Sequence, residues 1–144
     1  MPKRLAAAVV AASLAPLAWG PVAAAQTLQP GEWEFNTSTS ADLLPKPQTN
    51  TFKRCITKEE ADNPEAWLGR QSAKNDCKFT PGEKTADTVK WQISCPKTGM
   101  EGSGTAKIGQ GTIESDMRMS GEIKGRKFDL TTKMNGRRLG PCSS

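Results

Sequence analysis

The chain has 144 residues, with 20 lysines and arginines against 15 acids, four cysteines, four tryptophans, and neither histidine nor tyrosine. That length makes one domain able to bury a real core, and its net charge of +5 is interspersed as on an ordinary solvated face, not run together as a nucleic-acid stripe. The missing histidine removes the side chain that acid–base and nucleophile-activating sites most often recruit.

At the start, Lys3 and Arg4 precede an uncharged apolar run from Leu5 to Ala18, broken by Trp19-Gly20-Pro21 and followed by Ala23-Ala24-Ala25. This is the layout of a signal peptide cleaved before Gln26. The run is too short for a membrane span, which needs roughly 20 apolar residues, and it contains Pro16. The expected organisation is a signal peptide over 1–25 and a single domain over 26–144, with no transmembrane segment after processing. Cleavage takes Lys3 and Arg4 with no acid, lowering the net charge from +5 to +3.

The first strand is marked by Trp33 and Phe35 alternating with Glu32, Glu34 and Asn36, opened by Pro30-Gly31. Ala41 to Gln48, with Pro45 and Pro47, reads as a loop, and about Thr49 to Ile56 as a second, poorly alternating strand of edge character. Thr57-Lys58-Glu59-Glu60 is a capping box, with Ile56 and Ala61 placed for a hydrophobic staple. Asn63-Pro64 starts a second helical turn, and Trp67-Leu68-Gly69 is expected to end it. The helix between strands 2 and 3 is therefore short and broken.

Beyond Cys77 the period-2 pattern is clean. Val89, Trp91, Ile93 and Cys95 share one face; so do Ile113, Ser115, Met117 and Met119, and likewise Phe128, Leu130, Thr132 and Met134. Turns are expected at Pro81-Gly82, Ala86-Asp87, Gly109 to Gly111 and Lys124-Gly125. The fold class is mostly β: an antiparallel meander of about seven strands, a curved sheet or partly open barrel, apolar on one side. One strand departs from the others. Met100, Gly102, Gly104, Ala106 and Ile108 share the apolar parity, so its core face is small in the middle. Either Trp33 or Trp91 lies over the glycines, or the sheet holds a hollow for an apolar ligand. The candidate ligand-facing residues are Trp33, Trp91, Met100, Gly102, Gly104, Met117 and Met119.

Cys55, Cys77, Cys95 and Cys142 all lie in the mature chain, and an even count in an exported domain reads as two disulfides. Zinc fails on spacing, since there is no CxxC pair and no histidine. The favoured pairing is Cys55–Cys77, closing the helical insertion, with Cys95–Cys142 tying down the C-terminus; the rival joins Cys77 to Cys95 across a hairpin.

Little in the inventory suits catalysis, and no enzyme activity, cofactor or metal is expected. Glu59 with Glu60 sits in a helix's first turn, where acids favour the dipole, and Glu114 with Asp116 lies on a polar strand face. Met100, Met117, Met119 and Met134 offer thioethers to Cu(I), yet all four fall on the apolar parity, where core packing accounts for them. Lys124, Arg126, Lys127, Arg137 and Arg138 form a basic end; after export a lipid headgroup or cell-wall polymer, not nucleic acid, is the sensible partner.

Several landmarks form an ordered set: Pro30-Gly31-Glu32-Trp33-Glu34; Cys55-Ile56-Thr57 with Glu60 and Pro64; Cys77; Trp91 with Cys95-Pro96; Gly102-x-Gly104; Met117-x-Met119 with Gly121; and Gly136-Arg137-Arg138-x-Gly140-Pro141-Cys142. Over essentially the whole mature chain this set resembles domain-of-unknown-function family 3617, small exported bacterial proteins. The first loop departs from the family, where it is often rich in Met and Gly; here it runs Ala41-Asp42-Leu43-Leu44-Pro45. The resemblance implies bacterial export to a periplasmic or secreted location, and no activity. The expected function is a non-catalytic envelope module binding an apolar or amphipathic ligand, such as a lipid, in its curved sheet. The alternative is an accessory or inhibitor module that meets a periplasmic protein through loops and a sheet edge.

Overall fold

The computed structural model describes Gly20 and residues 27–143. The proposed signal peptide thus lies outside the described residues, Gly20 apart. The elements run β1 (Gly31–Ala41), β2 (Gln48–Ile56), α1 (Lys58–Asp62), α2 (Pro64–Lys74), β3 (Lys78–Lys84), β4 (Thr88–Cys95), β5 (Met100–Gly109), β6 (Thr112–Ile123) and β7 (Arg126–Gly140).

All seven strands form one antiparallel sheet in the order β2-β1-β7-β6-β5-β4-β3. The expected meander is present from β3 to β7; β7 then returns to β1, which places β2 and β3 on opposite edges. The sheet is not closed. The β2–β3 connection, which carries both helices, therefore joins the two outermost strands.

The turns follow from local chemistry at most positions. Lys124 (φ 50°) and Gly125 (φ 77°) both take positive φ between the paired Ile123 and Arg126, as a two-residue hairpin loop matched to strand twist requires. Pro81-Gly82 is a correction: it lies inside β3, where the pairing with β4 becomes irregular between Pro81 and Lys84. An edge strand tolerates a residue that cannot donate to the ladder.

The capping box is realised. The amide of Glu60 donates to the Thr57 hydroxyl (3.2 Å) and the amide of Thr57 donates to the Glu60 carboxylate (2.9 Å). Asn63 caps α2 through its side-chain oxygen, which accepts from the amide of Ala66 at 3.1 Å. The helix does not end at Gly69 as expected but continues to Lys74. Arg70 to Lys74 are mostly good helix formers, and one interior glycine costs only about 1 kcal/mol. Asp76, at φ 58°, then turns the chain into Cys77.

Both cysteine pairs are disulfides, but the favoured connectivity is corrected. Cys55 bonds to Cys142 and Cys77 to Cys95; neither Cys55–Cys77 nor Cys95–Cys142 forms. The reason is the crossover. Cys55 ends edge strand β2 while Cys77 precedes the opposite edge strand, so the helical connection separates them. Cys55 instead meets the C-terminus, because β7 returns beside β1.

The apolar parity lies on one face. Trp33 is fully buried, and its indole N–H donates to the Gln29 carbonyl at 2.9 Å. Its ring stacks on Phe35 (centroids 6.1 Å apart), which stacks on Phe52 (5.4 Å). Ile56 and Ala61, the staple pair, complete the cluster with Leu28, Ile113 and Met134 against it. Burying a large apolar side chain of this kind stabilises by about 3 kcal/mol relative to exposure.

Candidate functional site

Cross-strand rows build the floor of the site. One row on the core face runs Phe52, Phe35, Gly136, Ile113 and Ile108; the next runs Thr37, Met134, Ser115, Ala106 and Val89; the third runs Thr39, Thr132, Met117, Gly104 and Trp91. The connection from β2 to β3 brings Pro64, Trp67 and Leu68 to the same space. Between helix and sheet lies a cavity of about 180 Å³, walled almost wholly by carbon.

The wall has one charged corner. The Arg54 guanidinium lies over the Trp67 ring, 4.2 Å from its centroid, and pairs with the Glu60 carboxylate at 2.9 Å. Burial pushes the Glu60 carboxyl up, but the Thr57 amide and the Arg54 charge outweigh it and hold it below its ordinary value. The capping box of α1 and the roof residue Trp67 are thereby fixed to β2 through one arginine.

The glycine question is answered by packing. A Cβ at Gly104 would overlap the six-membered ring of Trp91 and stand 2.7 Å from its indole nitrogen; at Gly102 it would meet the Arg118 carbonyl at 2.7 Å and Met119 at 2.8 Å. Trp91, not Trp33, covers Gly104. Of the seven candidate ligand-facing residues, Trp91 alone lines the cavity. Trp33 is sealed in the adjoining cluster, while Met100, Gly102, Met117 and Met119 lie farther along the same face. The cavity sits over Ala106 and Ser115, one row from Gly104 and two from Gly102.

Phe35, Val89, Ala106, Ile108, Ser115 and Met134 were legible as core-parity positions, but parity does not say which core residues border empty space. The helical residues Trp67 and Leu68 were missed as site residues, because nothing local says that their helix crosses the sheet.

Other candidates disperse. Glu59 reaches Arg70 (3.4 Å) while Glu60 reaches Arg54, so they do not act as a carboxylate pair. Glu114 and Asp116 are exposed on the polar face. The five basic residues are not one end: Lys124, Arg126 and Lys127 flank the β6–β7 turn, whereas Arg137 and Arg138 pair across to Glu34 and Trp33 near the start of β1. Arg137 bonds the Glu34 carboxylate at 2.7 Å, and Arg138 donates to the Pro30 carbonyl at 2.8 Å.

Among the described residues, no helix is long and apolar enough to cross a membrane. Comparison with known proteins finds no match among curated proteins and none among solved structures. One family model matches residues 28–142, nearly the whole described chain. The chain belongs to the family of that model, described as protein of unknown function (DUF3617).

Proposed function

We propose that this protein is an exported, non-catalytic bacterial envelope protein that holds the apolar part of a ligand between its sheet and its helical connection. The observation that carries this reading is the cavity of about 180 Å³ walled by carbon. Native interiors leave few voids larger than a water molecule, and an apolar void of about 150 Å³ is known to stay dry and admit benzene. The recess is partly open, with Phe52 on its wall 37% exposed, so an apolar group can enter it and remove its carbon surface from water. Export is supported by the Lys3-Arg4, Leu5–Ala18, Ala23-x-Ala25 layout and by two disulfides, which persist in oxidising compartments.

The test is uptake of an apolar fluorescent probe by the protein recovered from the envelope, compared with Ala106→Leu. Ala106 is buried in the cavity floor, so leucine fills the space; uptake should fall while the fold is kept. Undiminished uptake by a folded Ala106→Leu variant would place the probe elsewhere and end this reading. Native mass spectrometry of the same sample should show a chain starting at or near Gln26 and a retained small-molecule mass.

A second reading has its own support. Edge strands β2 and β3 each pair on one side only, which suits strand addition by a partner protein. Leu43 and Leu44, in the β1–β2 loop, and Ile123, beside the β6–β7 turn, are exposed. Both loops lie at the same end of the sheet, where Ala41 pairs with Leu130. A co-purifying protein lost on Leu43→Ser/Leu44→Ser substitution, with no bound small molecule, would favour it.

A further inference from the structure

Ser115 is the only polar residue among the buried residues described, at 8% exposure, and it lines the cavity. Its direct cross-strand neighbours on the core face, Met134 and Ala106, are apolar; the row continues to Val89 on one side and Thr37 on the other. Its hydroxyl bonds to no other described residue, and it is not sealed under packed atoms either; the group opens onto the cavity. Alanine would serve packing equally well, because the hydroxyl makes no hydrogen bond to a described residue and so adds nothing to the fold. A local departure of this kind is expected at functional or strained sites.

We propose that Ser115 is the polar anchor of the cavity, and that the group entering it is a neutral, oxygen-bearing apolar moiety the size of a substituted benzene ring. The proposal rests on the apolar-ligand reading above and adds the chemistry of the buried end. A serine hydroxyl is one donor and two acceptors, so it matches a phenolic, alcoholic or ketonic oxygen. The oxygen is neutral because the two charged residues on the wall, Arg54 and Glu60, are paired with each other, and an unpaired charge does not enter an apolar recess. Size follows from volume: about 180 Å³ is slightly more than the benzene-binding void of about 150 Å³, which leaves room for a ring and one or two further atoms.

The test uses p-cresol and p-xylene, which differ by a hydroxyl in place of a methyl. Binding to the oxidised protein is followed by tryptophan fluorescence, since Trp67 and Trp91 border the cavity. In Ser115→Ala the preference for p-cresol over p-xylene should fall by about three- to tenfold relative to the parent, the range for one hydrogen bond. The affinity for p-xylene itself should hold or rise, and Ser115→Thr, which keeps the hydroxyl, should retain the preference. An unchanged ratio in a folded Ser115→Ala variant overturns the anchor while leaving the apolar cavity standing. Failure of both probes to bind the parent overturns the cavity reading and the anchor with it. With the ratio shift seen, 4-heptylphenol tells the source: tighter binding than p-cresol assigns the group to the end of a longer molecule, exclusion to a free small one.

Discussion

Gly104→Ala adds one methyl group where the sheet has no room for it. The new Cβ would fall inside the Trp91 ring system, nearer than the 3.0 Å that real Cβ atoms keep, and 2.7 Å from the indole nitrogen. Restoring ordinary contact, which begins at 3.4 Å, requires the indole to retreat by roughly 1 Å in an interior packed near crystal density. The glycine backbone is held between β4 and β6 and cannot yield. The ring's open side faces the cavity, since Trp91 is also a cavity wall. Overpacking of this kind costs about 1–3 kcal/mol, and the available escape places the expected loss near 2 kcal/mol. For a domain of this size the melting temperature should drop by about 8 °C. Urea unfolding, with an unchanged slope and a lower midpoint, measures the same loss. The retreating indole also occupies cavity space, so uptake of an apolar probe should weaken. Against a Trp91→Leu background the second substitution should cost at least 1 kcal/mol less, because contacting residues are not additive. Equal or greater stability in Gly104→Ala, or strict additivity with Trp91→Leu, would refute the indole-over-glycine packing.

The remaining predictions concern the staples and the charged corner. Alkylation without reduction should label none of the four cysteines, and peptide mapping should recover Cys55–Cys142 and Cys77–Cys95. Chain separations of 87 and 18 residues give loop-closure contributions of about 4–5 and about 3 kcal/mol. Double alanine replacement of the first pair should therefore destabilise more than replacement of the second; the reverse order would contradict the loop argument. The folded-state pKa of Glu60 is depressed, so its contribution is present above the ordinary value of 4.5 and is lost as pH falls through the lower folded value. Glu60→Gln should lower stability at neutral pH and make the acid side of the stability profile shallower. A parallel profile would mean that Arg54 and Thr57 do not hold the carboxylate as described.

How much of this was legible depends on the range of the forces involved. The strands after Cys77, the capping box at Thr57 and Glu60, the Asn63 cap and the Lys124-Gly125 turn are set by neighbours within a few residues, and the pattern displayed them. Gly69 misled because helix termination by glycine is a weak local preference, worth about 1 kcal/mol, which the following helix formers outweigh. Pro81-Gly82 misled because a proline that would end a central strand is tolerated on an edge, and edge position is a property of the sheet.

The sequence by itself determined the mostly β class, the apolar parity of each strand, the broken helix and the presence of two bridges, since each depends on periodicity, capping or count. The tertiary structure alone decided the rest. The return of β7 to β1 puts β2 and β3 on opposite edges, which sends the helical connection between them, unites Cys55 with Cys142 and leaves Cys77 for Cys95. That same connection brings Trp67 over the floor row of Met134, Ser115 and Ala106 and makes the cavity. Parity fixes the face to which a side chain points; only packing between distant segments fixes whether another side chain or an open space meets it there.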